Sequence, residues 1–244
     1  MPKPTSAADA VTSGGHTPVR VTIVTMDTHL ASATERARHS LAREMPGLHL
    51  SLHAASEFAN NEAAIERCKA DIAQAHIIVA GMLFLEDHFL PILPALRERR
   101  DGCDAMICMA SATEVVQLTR LGNFDMGKPA SGPMALLKKL RGKKEKNSTG
   151  GAAQLKMLRR IPQMLRFIPG TAQDVRAYFM TLQYWLGGSD ANVLNLIRHV
   201  VDRGASGERK HLRGMLKPQA PIEYPEMGVY HPRMKGRFSE DASA

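Results

Sequence analysis

The chain has 244 residues, 44% of them hydrophobic, enough to bury one good core and a smaller helical appendage but not several independent domains. Its most apolar runs, such as Ile77 to Leu85, fall well short of the roughly 20 residues that a membrane-spanning helix needs. The net charge of +8 suggests a nucleic-acid binder until it is located: between Lys128 and Gly170 eleven Lys/Arg stand against one Glu, so the rest of the chain is close to neutral.

The N-terminal stretch MPKPTSAADAVTSGGHTP lacks the apolar core of a secretory signal. Residues 1–17 read as a flexible arm, and the cytoplasm is the expected compartment. The head of the fold is expected over 18–205. VRVTIVTM at 19–26 is a β-rich run ending at Asp27-Thr28, where a helix could be capped, and Leu30, Ala33, Ala37 and Leu41 then recur at helical spacing. The unit repeats. LHLSLH at 48–53 alternates as a half-buried strand, and from Phe58 to Ala75 the residues Ala63, Ala64, Ile65, Cys68 and Ile72 share an approximately helical face. HIIVAG at 76–81 and AMICMA at 105–110 are short apolar runs typical of parallel strands buried on both faces. Helical segments are predicted after each, over Met82 to Arg100 and Thr113 to Leu121.

Four strand-then-helix units predict an α/β layer over 18–126, a flavodoxin-like or Rossmann-like parallel sheet of about four strands with flanking helices. Residues 127–151, dense in Gly, Pro and Lys, read as a basic, mobile insertion. Helices are predicted again over 152–205. Leu155, Leu158, Ile161 and Leu165 repeat every three or four residues, with Pro162 expected to kink or break the helix. Thr171 is a plausible N-cap for a helix whose stripe is Val175, Tyr178, Phe179, Leu182 and Trp185; Val193, Leu196, Ile197, Val200 and Val201 form its partner, giving a helical hairpin across GGSD. Residues 206–244 turn basic and then Pro-rich, and read as a linker into a following domain.

Several chemical patterns fail on context. Gly122 to Lys128 satisfies the first part of a phosphate-loop pattern, but it follows a helical segment and puts Pro129 where Ser or Thr should meet magnesium. The turn after the first strand, Thr25 to His29, has none of the glycines of a dinucleotide or flavin phosphate site. A receiver domain would need clustered acids where Asp27 stands alone and an acceptor Asp where Gly81 stands. Glu86-Asp87-His88 offers hard-metal ligands, yet consecutive residues fan around a helix, so a solvated face fits better. Cys68, Cys103 and Cys108 lack zinc or disulfide spacing and read as free, mostly buried thiols. The ten histidines are scattered, with surface or capping roles expected for most. The basic insertion could grip phosphate backbones, acidic partner subunits or anionic lipid headgroups. No aromatic residue lies between Lys128 and Arg166 to stack on bases, so nucleic acid is not expected. Argued from the residues alone, the alternative to that expectation is a non-enzymatic interaction module whose basic loop binds an acidic partner or nucleic acid.

IIVAGMLFLEDHFLPILPAL at 77–96, MASATEVVQLTRLGNFDM at 109–126, YFMTLQYWLGGSDANVLNLI at 178–197 and PIEYPEMGVYHP at 221–232 together resemble the large (H) subunit of magnesium chelatase, from bacteriochlorophyll and chlorophyll synthesis. The resemblance implies an ATP-dependent ligase that places Mg²⁺ into protoporphyrin IX. The large subunit would hold the porphyrin while two smaller ATPase-family subunits drive the step, and peripheral association with a membrane is compatible with it. Magnesium sheds its waters reluctantly, so work supplied from elsewhere is chemically sensible. Members of that family run several times longer than this chain, and the resemblance carries over no catalytic, cofactor-binding or metal-binding residue. The N-terminal part is expected to act as scaffold, docking surface or gate and to be inactive alone. The stripe from Val175 to Trp185 could be imagined as a porphyrin slot, but its helical spacing reads as core.

Overall fold

A computed structural model describes residues 16–128 and 160–223, together with 229–230, 233 and 238–239. The chain alternates strand and helix: β1 (Val19–Thr25), α1 (Ala31–Leu41), β2 (Leu48–Ala54), α2 (Glu62–Gln74), β3 (Ile77–Gly81), α3 (Glu86–Phe89), α4 (Leu93–Arg99), β4 (Ala105–Met109) and α5 (Thr113–Val116). Two-residue strands β5 (Arg120–Leu121) and β6 (Phe124–Asp125) follow, then α6 (Thr171–Gly187) and α7 (Asp190–Gly204). A short antiparallel pair, β7 (Val229–Tyr230) and β8 (Phe238–Ser239), forms a separate sheet.

The main sheet has six strands in the order β2-β1-β3-β4-β5-β6. β2, β1, β3 and β4 are parallel, as the apolar runs require, and every residue of β3 and β4 is buried. The four expected strands are therefore extended by two antiparallel ones. Arg120 and Leu121, expected at the end of a helix, lie instead in β5, because the helix stops at Val116 and Thr119 turns its hydroxyl back to the backbone of Cys108, donating to the carbonyl at 2.9 Å and accepting from the amide at 3.1 Å. The helix predicted over Met82 to Arg100 is two short ones, with Pro91 between them and Pro94 in the first turn of α4.

Helices cover both faces. On one, α1 and the α6–α7 hairpin pack on the odd-numbered residues of β3 and β4, among them Ile77, Val79, Ala105 and Ile107. On the other, Ile78, Ala80, Met106 and Cys108 meet α2, α4 and α5 through Cys68, Ile72, Leu96 and Val115. Leu30, Ala33, Ala37 and Leu41 are all buried, as their spacing predicts. In α2 the buried set is Ala64, Cys68 and Ile72, while Ala63 faces water and Asn61 rather than Phe58 starts the helix, accepting from the Ala64 amide at 3.0 Å.

Two predicted caps are displaced. α1 begins after Leu30 with no side-chain cap, and α6 is preceded by Gly170 at φ 75°, so Thr171 is its first helical residue. The hairpin across GGSD forms as expected: Gly188 closes α6 in the left-handed region, and the Ser189 hydroxyl accepts from the Asn192 amide at 3.3 Å to open α7. Residues 160–164 are helical with Pro162 inside them; Leu155, Leu158 and residues 129–151 of the basic insertion lie outside the described residues. The stripe considered as a porphyrin slot is core: Val175, Tyr178 and Trp185 are buried and Phe179 and Leu182 partly so. Beyond α7, a 3-10 turn at Gly207–Leu212 lays Leu212 and Leu216 onto the same core. Among the described residues no helix is long and apolar enough to cross a membrane.

Candidate functional site

In open parallel sheets, ligands and partners meet the carboxyl ends of the strands, where chain connections diverge. Here that place is the junction of β1 and β3, where Thr25 pairs with Gly81. Directly after β1, the Asp27 carboxylate accepts from the His29 amide at 2.9 Å and touches the His29 ring, and these contacts, the backbone hydrogen bond foremost, hold Asp27 below the usual carboxylate range. Asp27 is thus engaged by its own turn and does not cap α1. The His29 ring meets Trp185 edge to face, with centroids 6.4 Å apart and planes at 77°. Trp185, 3% exposed, is packed against Gly81, where a Cβ would stand 2.6 Å from the indole Cζ2.

The exits of β3 and β4 are laced together. Met82 (φ 64°) and Ala110 (φ 44°) both adopt the left-handed backbone region that costs non-glycine residues about 1–2 kcal/mol each. The Met82 amide donates to the Ala110 carbonyl at 3.0 Å. The Ser111 hydroxyl donates to the Met109 carbonyl at 2.9 Å and accepts from the Leu83 amide at 3.0 Å, and the Ala112 amide donates to the Leu83 carbonyl at 2.9 Å. Leu83 is thereby drawn into the core, and Phe84, Leu85 and Leu90 are left about half exposed or more on the rim. Glu86 and Asp87, exposed in the first turn of α3, stand on the same rim. Two buried polar atoms near these elements, the Thr25 hydroxyl and His88 Nδ1, have no hydrogen-bond partner.

Beside this rim, a cleft of about 260 Å³ opens between the ends of β1 and β2, lined by Thr28, His53, Glu57 and Arg67 among others. His53 Nε2 lies 2.7 Å from the Asp71 carboxylate. A second cleft of about 340 Å³ runs along β2 past Arg20, His49 and Gln74.

The other candidates fall elsewhere. Gly122 to Lys128 runs from the turn of the β5–β6 hairpin through β6 and beyond it, with Gly122 at φ 57° in that turn, Asn123 donating its amide to Asp174 at 2.9 Å, and Gly127 donating to Asp125 at 2.8 Å. A chain reversal of this kind cannot wrap a phosphate as a strand-loop-helix does. All three cysteines are buried free thiols, and burial pushes Cys68 and Cys108 up to about 12. His76 and His199 are the buried exceptions among the described histidines, 6% and 3% exposed. Among the described residues no group of three His, Cys, Asp or Glu is placed to hold a metal ion. Sequence reasoning missed the junction itself. A glycine inside an apolar strand, Gly81, is a signal for close approach of another group, but nothing local marks Ala110 as left-handed.

Residues 20–179 match a family described as a domain of unknown function, DUF3479. Over 221 residues, 91% of this chain, it is 48% identical to the magnesium-chelatase H subunit of Rhodobacter capsulatus and covers 18% of that protein. It is 45% identical, again over 91% of this chain and 18% of the relative, to the magnesium-chelatase H subunit of Cereibacter sphaeroides. The chloroplastic magnesium-chelatase ChlH subunit of Oryza sativa subsp. indica is 30% identical over 88% of this chain and 15% of its own length. The chain therefore spans less than a fifth of the curated relatives it matches.

Proposed function

The chain belongs to the DUF3479 family and corresponds to the N-terminal portion of a magnesium-chelatase H subunit, and from that premise we propose that it serves as the docking and gating head of a porphyrin-holding subunit. In that reading the whole subunit binds protoporphyrin IX, two smaller ATPase-family subunits supply the work of ATP hydrolysis, and Mg²⁺ enters the macrocycle as substrate in a cytoplasmic ligase. The segment 18–205 is the head, preceded by an arm and followed by a linker at 206–244, and its parallel layer is flavodoxin-like, an assignment supported by the β2-β1-β3-β4 order.

The observation that carries the docking role is the rim after β3. Phe84 and Leu85, 53% and 59% exposed, leave a loop whose backbone is fixed by the Met82 and Leu83 hydrogen bonds, so these side chains are presented rather than frayed. Apolar side chains on a rigid rim are suited to burial against another protein surface. The test is a complete H subunit carrying Phe84→Ser with Leu85→Ser, assayed for Mg-porphyrin formation and for porphyrin binding. A fall in rate with porphyrin affinity retained supports docking, and a fall in both supports gating. Normal rate and affinity in the variant, or in an H subunit lacking the head, would sink the proposal.

A further inference from the structure

The loop that enters α6 presents a second apolar cluster, on the segment that follows the basic stretch. Met164 is 60% exposed, Phe167 85% and Ile168 42%. The loop is anchored from behind. Ile161 and Leu165 are buried in the core, and the side-chain nitrogen of Gln173 donates to the carbonyls of Leu165, Arg166 and Ile168 at 2.9, 3.2 and 2.5 Å. Arg176 Nε donates to the Pro162 carbonyl at 3.1 Å. A fixed backbone thus holds three large apolar side chains in water, which is unfavourable unless something covers them.

The charge around the cluster indicates what covers it. Arg160 and Arg166 flank it, the Arg166 guanidinium lies 5.5 Å from the Phe167 ring centre, and the sequence from Lys128 to Gly170 holds eleven Lys/Arg against one Glu. Two arginines beside an apolar tip complement a surface that is negative outside and apolar just beneath. Phosphate backbones offer the charge without the apolar layer, and one phenyl ring beside Met and Ile is a poor base-stacking platform. A lipid interface with anionic headgroups offers both.

We infer that Met164, Phe167 and Ile168 form a wedge that enters the headgroup region of an anionic lipid surface, with Arg160 and Arg166 on the lipid phosphates. This goes beyond the chelatase reading and stands or falls separately from it, because the measurement needs neither porphyrin nor partner subunits.

The experiment is sedimentation of the 244-residue chain with vesicles of phosphatidylcholine, with and without phosphatidylglycerol, repeated for Phe167→Ser with Ile168→Ser and for Arg160→Gln with Arg166→Gln. The unchanged chain should sediment with phosphatidylglycerol vesicles, weakly with phosphatidylcholine alone, and less as salt rises. The apolar variant should bind roughly tenfold or more weakly while its circular dichroism spectrum is unchanged. Equal binding by the apolar variant, equal binding to neutral vesicles, or no binding to anionic vesicles would overturn the inference. So would a tighter, Phe167-independent association with single-stranded RNA at the same salt, which would assign the arginines to phosphate backbones.

Discussion

Trp185 and Gly81 are in direct contact across the sheet surface: a Cβ built on Gly81 would stand 2.6 Å from the indole Cζ2 and 2.8 Å from Cε2. The end of β3 and the last turns of α6 are therefore fitted to one another by the absence of a single methyl group. Because Trp185 also meets His29 edge to face, the same indole links the exits of β1 and β3.

Gly81→Ala should force the indole or the strand to shift, since neither the sheet backbone nor a 3% exposed Trp has free space. Overpacking of this kind costs about 1–3 kcal/mol. Urea unfolding followed by the single tryptophan should show a lower midpoint with an unchanged slope, and the native emission should shift as Trp185 moves. An unchanged midpoint and spectrum would show that the contact is looser than described.

Two buried histidines make stability depend on pH. His76 accepts from the Arg20 amide at 3.1 Å through Nδ1, and burial, with Arg209 nearby and Arg20 and Arg99 adding to it against the opposing Asp104, holds its pKa down at about 4. Burial also brings His199 to about 4, against the raising effect of its hydrogen bond to the Ala177 carbonyl. In the unfolded chain both take up a proton near pH 6.5, whereas in the folded chain they do so only near 4, so the unfolded state binds more protons between those values. Stability is complete above about pH 6.5 and is lost as pH falls toward 4, by on the order of 2–3 kcal/mol for each group. Urea midpoints measured from neutral pH downward should fall through this window, and His199→Gln should flatten part of the fall. A flat profile would mean that both rings are charged, or solvated, in the native state.

The alternating architecture was legible because parallel strands buried on both faces must be continuous apolar runs, as Ile77–Gly81 and Ala105–Met109 are. The hairpin of α6 and α7 was legible because Gly188 and Ser189 carry stop and start signals at adjacent positions. What escaped was decided by contacts distant in sequence. Two-residue strands have no periodicity to read, so β5 and β6 were invisible until β4 offered an edge for pairing. Asp27 looks like a cap, but its carboxylate is taken by His29 within the turn. The scattered histidines gave no hint that His76 and His199 would be enclosed, since burial depends on Arg20 and Ala177 supplying partners to their ring nitrogens. At the candidate rim, Phe84 and Leu85 fall inside the helix predicted over Met82 to Arg100, but α3 starts only at Glu86 and the Ser111 hydrogen bonds hold the strand exit just before them.

Asn192 binds the chain that follows α7. Its side-chain nitrogen donates to the Ile222 carbonyl at 2.9 Å and its oxygen accepts from the Ile222 amide at 2.8 Å, while Asn195 accepts from the Gln219 amide at 2.9 Å and the Tyr184 hydroxyl donates to the Gln219 carbonyl. Asn192 is 1% exposed and Ile222 42%, so replacing Asn192 with Leu removes two hydrogen bonds that water can only partly replace, at a cost of about 1–2 kcal/mol. Hydrogen exchange should quicken at the Ile222 amide in Asn192→Leu and at the Gln219 amide only in an Asn195 variant. Equal effects of both variants at both amides would mean that 219–222 detaches as a unit rather than through separate contacts.

The three thiols should report the integrity of the core. Reaction with Ellman's reagent requires both access and a thiolate. Cys68 and Cys108 are 0% exposed, and burial raises each to about 12, with Asp71 adding to the effect on Cys68 and Cys103 adding to that on Cys108. Cys103 differs. It is 5% exposed, and although burial raises it too, Arg120 and Arg99 pull in the opposite direction. In native buffer the thiols should therefore react orders of magnitude more slowly than in denaturant, where all three are titrated. The small early phase should belong to Cys103 and vanish in Cys103→Ser. Gly81→Ala, which disturbs the face of the sheet opposite Cys108, should leave that phase unchanged while speeding the slow one in proportion to the stability lost. An early phase that survives Cys103→Ser would place an accessible thiol on the α2 or β4 side and contradict the sealed second core.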